Sequence, residues 1–292
     1  MRFLIIIPTH NEEKNILYCL QSLKDQTFKD FEIVVVNDGS TDNTQALVED
    51  FITADSRFKL QNLATSSHEP GAKVVRTFNK GLQVTDLSNC DVICKFDSDI
   101  IFPKDYLEKI NAVYEANPKA GMVSGIVKIS KKIFEKSLAF DFSDVKHQWI
   151  FEDISSKNHV RGPIKSYRKE CFKAMKGLRA VLGWDNIDVM LAQKNGFETV
   201  TIKDLWVKHL RPTAFKYKNQ KAEKLGEYFY NIGLSLPLTV ISSAKSSFKN
   251  RSVSEFFITI NSFLKQNKPR QLSADEIQFI RNLRWKHMLR KK

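Results

Sequence analysis

Asp97 and Asp99 stand one residue apart in "VICKFDSDIIFP", where one apolar run ends and another begins. Two like charges at the mouth of a buried strand must be solvated, hydrogen-bonded or matched by positive charge. A solvated turn is one explanation, because such pairs are common in turns. A bound divalent cation is the other. Carboxylate oxygens are hard ligands suited to Mg2+ or Mn2+, and Mn2+ also accepts an imidazole. Two further polar clusters follow apolar runs in the same way. "FLIII" (3–7) leads into Pro8-Thr9-His10-Asn11-Glu12, and "EIVVV" (32–36) leads into Asn37-Asp38-Gly39-Ser40. Asp38 by itself reads as a turn residue. Three such clusters behind three strand-length runs point to one site.

Continuous apolar runs of this length suit parallel strands covered on both faces. Between the first two, Ile16, Leu17, Leu20 and Leu23 share one helical face, and Asn11 followed by Glu12 and Glu13 is the predicted helix start. Ala46, Leu47 and Phe51 predict a second helix after "NDGSTDN". The β-α-β-α-β order predicts an α/β fold with a doubly wound, mostly parallel sheet and right-handed crossovers. Ligands bind beyond the carboxyl ends of such strands, so Thr9, Asp38, Asp97 and Asp99 are expected around one crevice. No GxGxxG and no GxxxxGK[ST] is present, so a pyrophosphate there would need a metal ion to neutralise it. Further along, "GMVSGIV" (121–127) predicts a strand and 130–160 shows no period. "VRGPIKSY" (160–167) predicts a strand that leads into a helix at "RKECFKAM".

The chain has 292 residues, enough for one large α/β domain with a smaller appendage. Its four cysteines form no CxxC pair, which fits reduced thiols in a cytosolic protein. "MRFLIII" is too short for a signal-peptide core and is expected to be the first strand. No apolar run of membrane-spanning length occurs. The net charge of +13 is unevenly placed: residues 211–292 hold 17 Lys/Arg against 5 Asp/Glu, a net of +12. Such a tail attracts phosphate, on an anionic membrane surface or on nucleic acid, although solvated helix faces would account for it too. Nucleic acid is the weaker expectation, because the tail interleaves no aromatic platform with its charges. "SVSE" (252–255) and "SADE" (273–276) are capping boxes that predict two amphipathic helices. Phe256, Ile260, Phe263 and Leu264 are the expected apolar face of the first, and Ile277, Ile280 and Leu283 that of the second. Arg281, Arg284, Lys286, Arg290, Lys291 and Lys292 are expected on the polar side of the second.

"IIIPTHNEE", "VVVNDGSTDNT" and "FDSD" resemble, in order and spacing, the motifs of the family-2 inverting glycosyltransferases, which have the GT-A fold. "GWDNIDVMLAQKNGFET" followed by "VKHLRPT" is similar to the segment that carries their base and last metal ligand. The resemblance covers roughly residues 1–212. It implies a catalytic domain there, with a nucleotide-binding part at 1–100 and an acceptor part at 101–212, followed by a basic helical extension at 213–292. It also implies a UDP-sugar donor: Asp38 on the uracil, Thr9 and Glu12 in the nucleoside pocket with Pro8 and Asn11, and Asp97 and Ser98 near the ribose and diphosphate. Asn79 and Lys80 would stand near the donor. Asp99 and His209 would hold Mn2+ or Mg2+, and Asp185 would be the general base. Two departures stand out: Asn37 precedes Asp38, and Trp184 precedes Asp185, where the family often has an acid. Asp188 is therefore a rival base. From the residues themselves, Asp185 also fits a helix N-cap and His209 a structural role. On the acceptor side the resemblance implies "VRGPIKSYR", with Arg161, and Trp184 as a sugar-stacking surface. The acceptor is expected to be a glycan or lipid-linked sugar, and the enzyme to be cytoplasmic, peripheral on the cytosolic membrane face. The alternatives are a nucleotidyltransferase that forms nucleotide sugars, for which "PTHNEEKN" lacks a basic Gly-rich loop, and a binding protein acting through its tail.

Overall fold

A computed structural model describes residues 1–65, 69–130, 149–154, 156–211 and 220–289. The chain opens with β1 (Phe3–Thr9), α1 (Ile16–Lys24), β2 (Phe31–Asp38), α2 (Thr44–Ile52), β3 (Phe58–Leu63) and α3 (Ala72–Gln83). β4 (Val92–Phe96), β5 (Ile100–Ile101), α4 (Tyr106–Ala116) and β6 (Ala120–Ser130) follow. Then come β7 (Trp149–Phe151), β8 (Ile164–Arg168), α5 (Lys169–Ala174), α6 (Trp184–Lys194) and β9 (Glu198–His209). Four helices end the described chain: α7 (Lys221–Asn231), α8 (Leu236–Asn250), α9 (Val253–Leu264) and α10 (Ala274–Leu289).

β1, β2 and β4 are apolar at nearly every position because each feeds two cores. Phe3, Ile5 and Ile7 enter one apolar cluster, with α1, α2 and α4, while Leu4 and Ile6 enter the other, with α3, α5 and α6. Ile33 and Val35 divide from Val34 and Val36 in the same way. The sheet order is β3-β2-β1-β4-β8-β6-β9-β5, with β7 on β6. Pairing is parallel across β3-β2-β1-β4 and again at β6–β9; β8 is antiparallel to β4 and β6. The strand order therefore reverses at β1, which has β2 on one side and β4 on the other, and this is where a doubly wound sheet opens a crevice.

Three expectations are corrected. The helix predicted from Asn11 begins only at Ile16, because residues 10–14 form a turn held by the β2–α2 loop. Asn11 sits at φ 54°, its N–H donates to Ser40 Oγ (2.9 Å) and its Oδ1 accepts from Thr41 N (2.8 Å). A third strand and helix, β3 and α3, intervene before β4; β3 is only half-buried, so its apolar signal is weak. In the tail, Phe263 is buried but Leu264 is exposed, and Arg281 and Arg284 turn inward to Gly233 O (2.8 Å) and the Tyr228 hydroxyl (2.9 Å). Arg290, Lys291 and Lys292 lie outside the described residues, as does Pro212. The tail helices do not stand apart: Phe229, Leu238, Phe263 and Ile280 join Met190 and Leu191 of α6 in one apolar cluster.

Candidate active site

The three polar clusters do end neighbouring strands. Thr9 closes β1 with its hydroxyl turned back to Ile7 O (3.1 Å), and Pro8 precedes it half-buried. Glu12 is buried; its backbone N–H donates to Thr44 Oγ1 (2.7 Å) and its carboxylate accepts from Asn15 Nδ2 (2.9 Å) and from Arg211. Burial, and then the charge of Asp99, raises the Glu12 carboxyl above its usual range.

Asp38 ends β2 and is buried against α3. Thr77 Oγ1 donates to its Oδ2 (3.0 Å) and Lys73 Nζ lies 3.4 Å away. Lys73 and Thr77 are four apart, on one helix face. Asn79 is about 200° around the helix from Thr77 and so lies off the face turned to Asp38, whereas Lys80, three residues past Thr77, continues that face into the last turn and is exposed. Beside Asp38, Gly39 takes φ 58°, and a side chain there would run into Thr65.

Beyond β4 the chain makes Asp97-Ser98-Asp99 and enters β5. Asp97 is half-buried and pairs with Lys95; its N–H donates to Pro163 O (2.9 Å). Ser98 and Asp99 are buried. Because Ile100 of β5 pairs with His209 of β9, the strand end of β9 lies beside Asp99. His209 Nε2 is 3.5 Å from Asp99 Oδ1, and Nδ1 is 3.3 Å from Glu152. Arg211 reaches the other Asp99 oxygen at 3.1 Å while also holding Glu12. Burial opposes the charge on His209, but the hydrogen bonds to Asp99 and Glu152 outweigh it and hold the imidazole up at about 9. Burial likewise pushes Asp99 up, and the hydrogen bond from His209, with the charges of His209 and Arg211, brings it below its usual value.

The second half of the site is built on α6. Gly183 caps it at φ 91°, where a Cβ would strike the Tyr228 ring of α7. Asp185 follows in the first turn, half-buried. Gly162 joins this helix to the strand ends. Its carbonyl is 3.4 Å from Lys95 Nζ, and a Cβ on it would come within 3.7 Å of Asp185 Oδ2. Asp188, one turn on, is enclosed: Lys165 Nζ lies 2.7 Å from both of its oxygens and the Tyr167 hydroxyl donates at 2.7 Å. Two acceptor-side expectations are corrected here. Trp184 is only 6% exposed, with Lys95 and Lys165 Nζ 5.2 and 5.3 Å from its ring centroid, so the ring is packed among cations and is not an open platform for a sugar. Arg161 is buried on Glu152 (2.7 Å), where it fixes the partner of His209.

Sequence reasoning missed Lys73, Thr77, Lys95, Glu152, Lys165 and Arg211. Arg211 carried a signal, being two residues past His209, just beyond the end of β9. Glu152 carried none, because its stretch has no period.

The sequence profile of glycosyl transferase family 2 matches residues 4–176, more than half of the chain. The chain belongs to glycosyl transferase family 2. The putative glycosyltransferase EpsH of Bacillus subtilis is 33% identical over 106 residues, 36% of this chain and 28% of EpsH. The poly(ribitol-phosphate) beta-N-acetylglucosaminyltransferase TarS of Staphylococcus aureus is 44% identical over 73 residues, 24% of this chain and 13% of TarS. The chain thus spans less than a third of the length of either relative. In structure it is similar to TarS 1-349 in complex with UDP-GlcNAc, with TM-score 0.61 and 21% identity, covering 97% of this chain and 83% of that one. It is also similar to the mannosyltransferase PcManGT from Pyrobaculum calidifontis in complex with GDP-Man and Mn2+, with TM-score 0.56 and 18% identity, covering 100% and 76%. At these identities the likeness is one of fold, and it agrees with the GT-A expectation.

Among the described residues no three His, Cys, Asp or Glu side chains form a metal cage. Asp99 and His209 nonetheless suit two places in one coordination shell, and Glu152 behind His209 is the carboxylate that commonly orients a ligating imidazole. Two protein ligands with substrate phosphates and water is the usual pattern for Mg2+-type sites. The residues fit the ion.

Proposed function

We propose that the chain is a glycosyltransferase that moves a sugar from a UDP-sugar to a hydroxyl of a glycan or lipid-linked acceptor, inverting the anomeric carbon, in surface polysaccharide or glycoconjugate synthesis. The observation that carries this proposal is the convergence of buried Glu12, Asp38 and Asp99 at neighbouring strand ends, with Asp185 at a helix start beyond Gly162. Asp38, braced by Thr77 and Lys73, is an acceptor for a base N–H. Asp185 takes the proton from the acceptor hydroxyl as that oxygen attacks, and the nucleoside diphosphate leaves on the opposite face. A positioned base of this kind contributes roughly 10²–10⁴-fold. A cation on Asp99 and His209 would stabilise the charge of the departing diphosphate. Asp185 is favoured over Asp188 because Asp188 has both oxygens committed to Lys165 and Tyr167. The Mn2+ and GDP-Man of PcManGT and the UDP-GlcNAc of TarS support a nucleotide-sugar donor and a metal.

Thermal unfolding with UDP, GDP, dTDP or CMP, each with Mn2+ or chelator, tests the proposal. UDP at about 100 times its Kd should add roughly 2.7 kcal/mol. That gain should require Mn2+ and vanish in Asp99→Ala and Asp38→Ala. A response to GDP in place of UDP would change the donor, and silence with every nucleotide would overturn the site.

A further inference from the structure

Between Tyr228 and Ala274 the chain has six basic residues, Lys245, Lys249, Arg251, Lys265, Lys268 and Arg270, against one acid, Glu255. Glu255 is engaged by Asn250 Nδ2 at 2.7 Å. This same stretch turns apolar side chains outward. On α8, Leu236, Val240, Ala244 and Phe248 recur every four residues, which places them in one row, and all four are exposed. The adjacent row runs Pro237, Ile241, Lys245, Lys249, so lysines border the apolar strip. On α9, Val253, Phe257 and Leu264 share a second exposed row, with Lys265 at its end. Phe248 is 89% exposed and Phe257 64%. A groove lined by Ala244, Phe248, Arg251 and Val253 joins the two strips into one surface. The opposite faces are buried: Leu238, Thr239 and Phe263 pack inward, so this hairpin has a core side and is not simply unpaired.

Continuous apolar patches on a folded surface mark a contact. A strip of large apolar residues edged by lysine, on a helix too short and polar to cross a bilayer, is the pattern of a helix lying in a membrane interface. We infer that the α8–α9 face docks on an anionic lipid bilayer, with Phe248, Val253 and Phe257 entering the acyl boundary and Lys245, Lys249, Arg251 and Lys265 meeting the headgroups. The charge favours lipid over a second copy of this chain, since two such faces would bring their basic residues together. The sequence pointed to the whole tail, and to Arg281 and Arg284 in α10. Those two are taken inward, and the surface lies on α8 and α9 instead. α9 packs on α7, with Thr259 Oγ1 donating to Ala222 O (3.1 Å) and Ser262 Oγ to Glu223 O (2.7 Å), and α7 and α10 in turn hold α6 and the segment that leads into it: Asn231 Nδ2 donates to Leu182 O (3.1 Å), Arg179 pairs with Glu276 (2.7 Å) and Lys194 with Asp275 (2.6 Å). A docked hairpin would therefore set the orientation of Asp185 relative to the bilayer.

Flotation of the full chain with vesicles of phosphatidylcholine, with and without phosphatidylglycerol, at low and high salt, tests this. The chain should float with phosphatidylglycerol vesicles, release as salt rises, and ignore neutral ones. Lys245→Glu with Lys249→Glu should weaken binding by about 25-fold or more, at about fivefold per basic residue. Phe248→Ser with Phe257→Ser should abolish it while the melting temperature and the UDP response stay as in the parent. Failure to float at low salt, or flotation unchanged in the Phe pair, overturns the inference. So does a dimer that the Phe pair dissociates, which would assign the face to a second copy, or retention on duplex DNA without flotation. Because the UDP response is read in parallel, failure here leaves the catalytic proposal standing, and the reverse holds.

Discussion

Asp185→Asn and Asp188→Asn differ by one helical turn and should fail in opposite ways. Asp185 is half-buried at the start of α6, and among the described residues no hydrogen bond or ion pair to its carboxylate holds the fold together. Its replacement by the isosteric amide should cost under about 1 kcal/mol of stability. The same change removes the proton acceptor, worth about 10²–10⁴-fold in turnover, or roughly 3–5 kcal/mol of barrier. Asp188 carries the opposite expectation. Its carboxylate matches Lys165, whose ammonium is fully buried and, among the described residues, bonded otherwise only to Asp185 O at 2.6 Å. An amide can still accept from Tyr167, but it leaves the lysine charge buried without its counter-ion. Breaking such a pair costs about 3–5 kcal/mol, which for a chain of this size lowers the melting temperature by roughly 6–10 °C. The assay is UDP release from whichever UDP-sugar supports turnover by the parent, with Mn2+, alongside thermal unfolding with and without UDP. Asp185→Asn should keep its melting temperature and its UDP response and lose turnover. An Asp188→Asn protein that melts with the parent yet is inactive, beside an active Asp185→Asn, would refute the assignment and move the base to Asp188.

Two further outcomes follow from the charge cluster. Arg211 is the positive charge between Glu12 and Asp99, so Arg211→Ala should lower stability in chelator by about 1–2 kcal/mol, the half-exposed guanidinium being partly screened. Mn2+ should restore that loss; a variant that Mn2+ leaves unimproved would separate the cation from these acids. His209 has a folded pKa of about 9 against an ordinary 6.5, so the stability it contributes is complete below pH 6.5 and is lost as pH rises through about 9. In chelator, unfolding free energy should fall across that window by on the order of 3 kcal/mol, and His209→Asn should flatten the slope. Mn2+ stabilisation should grow over the same window, because a ligating imidazole must first give up its proton.

Much of the nucleotide half was legible because its strands are buried on both faces. Such strands leave unbroken apolar runs, and polar residues directly after them can only sit at strand ends; Thr9, Asp38 and Asp97–Asp99 were found that way. β3 and α3 were not, since an edge strand that is half solvated has no such run. With them went Lys73 and Thr77, the residues that brace Asp38. Lys95 and Lys165 look like surface lysines in the sequence, and only pairing across β4–β8 reveals that both are buried around Trp184.

The sequence by itself determined the parallel half of the sheet, its three polar strand ends and the basic character of the tail, because local period and composition carry that information. The tertiary structure decided what depends on contacts between distant segments. It brought His209 beside Asp99 through a two-residue strand pairing, and it set Glu152 behind the imidazole. It enclosed Asp188 while leaving Asp185 partly open, although the two acids stand three residues apart on one helix. It also turned Arg281 and Arg284 inward and Phe248 and Phe257 outward, since a helix's period shows that it has two faces but not which one the rest of the chain will cover.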